Sequence, residues 1–145
     1  MREIKFRAWV KPGTQPELDG RIIPVEEMEW NYRSNDELLY VILPDPSGGD
    51  GAWEVETKNM ELMQFTGVTD QDGRDIYEGD IVTGDRPHYI NEVKGVVKYG
   101  ALAFCFIGES EDGKEWVDTV TNPTMTQLDH IEVIGNIYEN PELLE

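Results

Sequence analysis

The sequence predicts a mostly β protein, folded as a small barrel or sandwich. Short segments in which apolar residues alternate with polar ones recur along the chain, which is typical of strands with one buried face. Turn signals rich in Gly, Pro and Asp separate these segments. Nowhere do apolar residues recur at the helical spacing of i, i+3, i+4 and i+7 over three turns. A hydrophobic content of 39% is enough for a folded core.

The first half of the chain is predicted to form a series of short strands. Alternation in Ile4–Trp9 predicts the first strand, and prolines and glycines make residues 10–20 a loop. The strands predicted next are Arg21–Val25, Met28–Tyr32, Leu38–Leu43, Trp53–Glu56 and Glu61–Phe65. Pro44–Gly51 cannot hold a regular element, because Pro and Gly dominate it. We therefore expect a boundary there, between an N-terminal β subdomain (residues 1–50) with Pro/Gly-rich loops and a β-barrel region (residues 51–145).

The second half begins with a hairpin and ends with a helical turn. Asp70–Asp75 predicts a tight turn, since Asp-Gly supplies the positive φ that a hairpin needs. Gly79-Asp80 predicts a second turn, where glycine adopts a backbone conformation closed to other residues and Asp80 accepts from turn amides. Ala101–Ile107 is apolar on both faces, which favours a central core strand. Further strands are predicted at 93–99, Trp116–Val120 and Ile131–Ile137, followed by a single helical turn capped by Asn140 with Pro141 at its first position.

Charge and hydropathy exclude several classes of function. The chain has 12 basic and 30 acidic residues and a net charge of −18, so direct nucleic-acid binding is not expected, because phosphate contacts need a cationic face. No apolar run approaches the ~20 residues that cross a bilayer, and the N-terminus lacks the apolar core of a signal peptide. We therefore expect a cytoplasmic protein that makes no membrane contact.

No catalytic or cofactor-binding constellation is visible in the sequence. His88 and His130 have no Ser or Cys nucleophile in a recognised motif and no partner at zinc-ligand spacing. Cys105, the only cysteine, lies between two phenylalanines and is expected to be a buried small hydrophobe rather than a reactive thiol. We predict that the protein is not an enzyme and binds no cofactor.

The stretch from Asp70 to Glu78 has one functional alternative to a plain turn. Calcium takes six to eight oxygen ligands, and carboxylates spaced by two residues can lie on one side of a loop. The EF-hand order is not met, because the glycine comes two residues too early. A polar hairpin turn is therefore preferred, and the alternative is a calcium loop with Asp70, Asp72, Asp75 and Glu78 as ligands.

Three blocks of sequence resemble those of a known family. They are Met1–Trp9; Met63–Gly67 with Asp72-Gly73 and Ile76–Val82; and Ile131–Leu144. In this order and spacing the chain is similar to the YopX proteins of bacteriophages and prophages, while residues 10–60 match poorly. The resemblance implies a mostly β protein with a small SH3-like barrel, which makes residues 51–145 the YopX-like region. It implies no enzymatic activity and transfers no catalytic residue.

Two functional hypotheses follow. The first is a phage accessory protein without catalysis that binds a host or phage protein and forms a homo-oligomer. The N-terminal strand Ile4–Trp9, set apart by a long loop, is expected to pair with another subunit. The second is an acidic decoy that occupies a host DNA-binding protein by imitating phosphate charge. A decoy needs carboxylates in an ordered stripe, and interleaved bases such as Lys94, Lys98 and Lys114 favour a scattered acidic surface instead.

Overall fold

The structure, a computed structural model, describes residues 3–31, 37–85, 93–99, 104–109, 115–119 and 129–145. In this part of the chain the protein is mostly β, with almost no helix. The strands are β1 (Phe6–Val10), β2 (Ile22–Pro24), β3 (Glu27–Asn31), β4 (Glu37–Pro44), β5 (Ala52–Glu56), β6 (Met60–Thr69), β7 (Asp75–Tyr77), β8 (Asp80–Asp85), β9 (Val93–Tyr99), β10 (Phe104–Glu109), β11 (Glu115–Thr119) and β12 (Asp129–Asn136). Two short 3-10 helices are Thr57–Asn59 and Pro141–Leu144. None of the helices described is long and apolar enough to cross a bilayer.

The chain divides into two compact units inside β6. One unit is Lys5–Met63, and the other is Met1–Ile4 with Gln64–Glu145. This boundary differs from the one expected at residues 50 and 51. The expected position falls within an antiparallel hairpin, because β4 and β5 pair from Tyr40↔Glu56 to Pro44↔Ala52 across the Pro/Gly-rich loop. The loop is irregular as predicted, and it closes the β4-β5 hairpin.

The unit Lys5–Met63 is built on two sheets. β1 lies between β2 and β6 in one sheet, and β3, β4 and β5 form the other in that order. The core consists of buried side chains from both sheets and from the loop after β1, namely Ala8, Val10, Leu18, Ile23, Val41, Leu43, Val55 and Met60. Period-two alternation places these side chains inside, so the predicted strand type holds in this unit.

The long loop after β1 is irregular, as the sequence predicts. The sequence does not predict that this loop is anchored by a buried side chain and by hydrogen bonds. Leu18 is fully buried in the core of the unit. The Asp19 carboxylate accepts hydrogen bonds from the amides of Gly13, Thr14 and Gln15 at 2.9, 3.0 and 2.8 Å. These bonds, led by the one from Gln15, outweigh the opposing effect of burial and lower the pKa of Asp19. One buried leucine and one carboxylate thus fix the loop.

The second unit contains a five-stranded antiparallel sheet in the order β11-β10-β9-β8-β12. Its described core residues are Ile76, Val82 and Val97, with Val68, Ile131 and Val133 packed against them. The central strand is β9, whereas the sequence favoured Ala101–Ile107. Residues 101–103 lie outside the described range, and β10 is an inner strand next to the centre, paired with β9 and β11.

The turn between β7 and β8 agrees with the sequence analysis. Gly79 has a φ of +87°, and Asp80, which is buried, accepts a 2.8 Å hydrogen bond from the Tyr77 amide. The amide of Gly79 donates to the carbonyl of Val97, and its carbonyl accepts from the amide of Ile137. The turn is therefore held from both sides within the unit.

The C-terminal turn corrects one prediction. A 3-10 helix forms with Pro141 at its start, but the Asn140 side chain makes no capping bond to it. The Asn140 Oδ1 instead accepts from the Asn136 amide at 3.3 Å, while Asn136 Oδ1 accepts from the amides of Tyr138 and Glu139. The two asparagines fold the segment after β12 back on itself, which removes the cap that sequence position suggested.

Candidate binding surface

The outer face of the β3-β4-β5 sheet is the most distinctive surface of the described residues. Along β4, Val41 and Leu43 are fully buried in the core, and Val55 of β5 joins them. Side chains alternate between the two faces of a sheet, so Tyr40 and Ile42 point outward. Both are half-buried. They form an apolar centre along the middle strand.

Glutamates lie on both sides of this centre. Cross-strand pairing aligns Glu27, Ile42 and Glu54 in one row, and Glu29, Tyr40 and Glu56 in the next. All four glutamates are exposed. We call the surface made by Glu27, Glu29, Tyr40, Ile42, Glu54 and Glu56 the glutamate face. It presents an apolar strip with carboxylates along each edge.

The electrostatics of the glutamate face follow from this arrangement. Burial raises the pKa of the Tyr40 phenol, and the nearby carboxylates of Glu29, Glu54 and Glu27 raise it further because they disfavour a second negative charge. Lys58 Nζ lies 3.1 Å from Glu56 Oε2, with both side chains largely exposed. Such an exposed pair contributes little energy. The face is therefore net negative around a phenol that stays neutral.

The sequence alone does not reveal this face. The run Leu38–Leu43 is apolar throughout, so its period of two is hidden, and the glutamates belong to strands on either side of it. The signal was the pair of Glu-x-Glu spacings at 27/29 and 54/56, which place both glutamates of each strand on one face. Joining the two pairs requires the strand order, which local sequence does not give.

A bulge lies next to the glutamate face. The register shifts between Glu29, which pairs with Tyr40, and Trp30, which pairs with Leu38, so Leu39 is the extra residue on β4. Trp30 and Leu39 are each 40% exposed. This leaves two large apolar side chains open to solvent at one end of the sheet.

The four residues of the alternative calcium loop lie in and after the turn between β6 and β7. Asp70 is buried and accepts from three amides: Asp72 and Arg74 donate to Oδ1 at 2.9 Å each, and Val133 donates to Oδ2 at 3.0 Å. Burial alone would raise the pKa of Asp70. The three amide bonds, together with the Arg74 guanidinium, outweigh burial and bring this pKa below its ordinary 3.8. Both carboxylate oxygens of Asp70 thus accept hydrogen bonds from backbone amides of the same unit.

The other three candidate ligands are not gathered around Asp70. Asp72 is exposed in the turn, Asp75 begins β7 and pairs with Thr69, and Glu78 lies in the next turn with its amide bonded to the carbonyl of Gln64. Within the ranges the structure describes, no three His, Cys, Asp or Glu side chains come together as a metal-binding group. The hairpin turn itself is confirmed, with Gly73 at a φ of +81°, and the preference for a plain turn over a calcium loop stays a prediction.

The structure does not assign a catalytic site to the histidines, the serines or the cysteine within the residues it describes. His88 lies outside the described residues, as do Ser34 and Ser110. Cys105 belongs to β10 and His130 to β12, and Ser47 bonds to Asp45 in the turn between β4 and β5. The interpretation of the two histidines and the cysteine as non-catalytic therefore stays a prediction.

Comparison with known proteins identifies the family. The chain is similar in structure to protein EF1440 from Enterococcus faecalis, known from a crystal structure, with a TM-score of 0.61 and 24% sequence identity over 100% of both chains. At that identity the likeness concerns the fold alone. No curated protein matches the sequence. The family model described as YopX protein matches residues 5–145, nearly the whole chain. The chain therefore belongs to the YopX family.

Proposed function

We propose that this YopX-family protein is a non-enzymatic accessory protein of a bacteriophage or prophage, which acts in the host cytoplasm by binding another protein. The observation that carries the proposal is the glutamate face: an open sheet surface with an apolar centre and a charged border. Interfaces commonly combine an apolar centre with a polar rim. Such a surface suits recognition of a protein better than chemistry on a small substrate, which needs a concave site.

The proposal includes an SH3-like barrel for the second unit. Consecutive strands β8 to β11 pair as a meander, and β12 returns to pair with β8. This order, together with the Gly79-Asp80 turn before β8, supports such a barrel. In such a barrel the end strands β11 and β12 approach each other, and the turn between β6 and β7 takes part in the closure, since it bonds to the outer edge of β12 at Ile131 and Val133. Backbone distances between β11 and β12, measured by nuclear magnetic resonance, test it; their absence would leave an open sheet.

Affinity capture with matched variants tests the binding proposal. We expect Tyr40→Ser with Ile42→Ser to remove the partner protein that the unaltered chain captures from a host lysate, because the apolar centre is lost. Tyr99→Ser with Leu144→Ser alters two exposed apolar residues elsewhere and is the control. A thermal melt verifies that both variants fold. Equal capture by the two variants contradicts a role for this face.

A second function, the acidic decoy, is favoured by the order of the four carboxylates. Strands lie ~4.8 Å apart and advance ~3.4 Å per residue, so the glutamate positions span a rectangle of roughly 7 by 10 Å. Duplex DNA carries one charge per ~1.7 Å of its axis, or about four over the same 7 Å. The linear charge density is therefore comparable. This ordered pattern differs from the scattered surface that the sequence favoured.

The decoy hypothesis predicts competition with DNA. A protein captured through the glutamate face should be eluted by duplex DNA and lost when Glu27, Glu29, Glu54 and Glu56 are all changed to Gln. The matched control changes four exposed acids elsewhere to their amides, namely Glu17, Asp50, Glu139 and Glu142. If both sets weaken capture equally, net charge and not the glutamate face is responsible. If duplex DNA does not compete, the captured protein does not bind the glutamate face through its DNA-binding surface.

Self-association of this chain stays a proposal. The N-terminal strand, however, is not available to pair with another subunit. β1 has a neighbour on each side, because β2 and β6 flank it in the sheet. Ile4, expected on the buried side of that strand, precedes β1 and is 73% exposed. β1 therefore has no open edge for another subunit.

A further inference from the structure

The outer edge of β12 is covered by a turn of the same unit and not by a strand. β12 is the last strand in the order of its sheet and pairs with β8 on one side. In an antiparallel strand the amide and carbonyl of one residue point to the same side, and residues two positions apart repeat that direction. An edge of this kind is a template for strand addition unless something covers it.

The turn between β6 and β7 takes three consecutive backbone groups along this edge. The amide of Val133 donates to Asp70 Oδ2, and its carbonyl accepts from Arg74 Nη1, both at 3.0 Å. The carbonyl of Ile131 accepts from the Gln71 amide at 2.9 Å. Two charged side chains and one amide thus fill the places that a neighbouring strand would use.

The Asp70 side chain and the backbone of the turn that carries Arg74 are themselves fixed. Asp70 Oδ1 accepts from the amides of Asp72 and Arg74, and the amide of Asp70 donates to the carbonyl of Arg74 at 2.8 Å. These bonds hold the turn in shape without any contribution from β12. Binding to β12 therefore costs the turn little additional conformational entropy. A free strand has to displace a preorganised set of partners.

We propose that Asp70 and Arg74 prevent a further strand, namely β12 of a second copy of this chain, from adding to the edge of β12. A strand added there needs the amide and carbonyl of Val133, which these side chains occupy. Two copies of β12 can pair antiparallel about a two-fold axis, which is the common closed arrangement for identical chains. The device is neutral in net charge, so its loss changes access to the edge without changing the repulsion between copies.

The test is the oligomeric state of the variant Asp70→Asn with Arg74→Gln. The first change can place an amide group against the Val133 amide, and the second shortens the side chain that reaches the Val133 carbonyl, so the edge becomes open. The control Asp72→Asn with Lys94→Gln makes the same charge changes at two exposed residues. We expect sedimentation equilibrium to give a dimer dissociation constant at least roughly tenfold lower for the first variant than for the control and the unaltered chain.

Hydrogen exchange measured by mass spectrometry locates the contact. In the dimer, exchange should slow in residues 129–136 and stay unchanged in β3, β4 and β5. A folded variant with the same mass distribution as the control overturns the proposal, as does a dimer without protection of β12. If the double variant fails to fold, Asp70→Ser with Arg74→Gln takes its place and decides by the same criteria against Asp72→Ser with Lys94→Gln, because it shortens both side chains that reach Val133 and makes the same charge changes as its control.

Discussion

At the scale of single residues, Asp70 combines burial with three amide donors. Replacing it by Asn keeps the shape but sets a donor group against the Val133 amide and removes the charge. A buried donor left without a partner costs about 1–3 kcal/mol. We therefore expect Asp70→Asn to lower the free energy of unfolding by about that amount in urea denaturation. Asp72→Asn, an exposed change in the same turn, should stay within about 0.5 kcal/mol.

The same carboxylate predicts a pH dependence. Its pKa in the folded protein is below the ordinary 3.8, so the folded state favours the ionised form. Its stabilisation is complete above that ordinary value and is lost as the pH falls through the lowered one. The gap in melting temperature between the unaltered chain and Asp70→Asn should therefore narrow from neutral pH to about pH 2. A gap that stays constant would show that shape rather than charge matters at this position.

Tyr40 reports on the charge of the glutamate face. Its pKa is raised by burial and by the carboxylates of Glu29, Glu54 and Glu27. Changing Glu29 and Glu54 to Gln should move this pKa down toward 10.0, since two repelling charges are removed while burial is retained. The pKa of Tyr40 is measured by nuclear magnetic resonance, from the chemical shift of its Cζ ring carbon as a function of pH. Glu17→Gln with Glu139→Gln should have no effect, and an unchanged pKa in the first variant would place the carboxylates too far from the phenol.

Local residue chemistry was predictable, and partners distant in sequence were not. The positive φ of Gly73 and Gly79 and the Asp80 bond follow from turn preferences over a few residues. The Asp70 to Val133 bond joins residues separated by 63 positions. Only the folded unit brings these groups together, so the sequence predicts the hairpin turn at Asp70 but not the bond that joins Asp70 to β12.

At the scale of elements, Gly135 shows how closely the last strand packs on the C-terminal turn. A Cβ at this position would lie 2.6 Å from Asn140 Oδ1 and 2.8 Å from Leu143 Cδ1. Gly135→Ala should therefore displace the Asn140 side chain from the Asn136 amide and cost about 0.5–1.5 kcal/mol of unfolding free energy, the contribution of one hydrogen bond. The control is Gly51→Ala, where a Cβ meets only Asp45 Oδ2 at 4.0 Å. Equal melting temperatures for the two variants would contradict the packing.

Strand positions were predicted well because alternation, and short apolar runs bounded by turn residues, are local signals. β3, β4, β5 and β9 lie within a residue or two of their predicted ranges. Strand order is not local, and this accounts for the difference between the expected boundary and the division inside β6. Pro44–Gly51 has the composition of a linker, but the apolar residues on either side of it pair with each other. The composition of this segment indicates that the chain turns there. It does not indicate that the strands on either side of the turn, β4 and β5, pair with each other.

At the scale of the whole molecule, the excess of acids predicts a dependence on salt. With 30 acids against 12 bases, repulsion destabilises the compact state at low ionic strength. Salt at about 0.1 M reduces the screening length to ~10 Å, so the melting temperature should rise between low and moderate NaCl. The variant with all four glutamates of the glutamate face changed to Gln should show a smaller rise. A melting temperature that is flat or falls with salt would contradict the prediction.

The ten-residue strand β6 belongs to both units, and this determines how the chain can be dissected. Its junction, Met63 to Gln64, lies inside a paired strand, and the Met63 side chain is 1% exposed. A protease needs an accessible stretch that can be drawn into its cleft, and a strand of this kind offers none until it unfolds. Each unit also takes strand residues from β6, so an expression fragment that ends at residue 50 loses both β5 and β6. Unlike proteins joined by a linker, this one cannot be trimmed into halves that each keep their full set of strands.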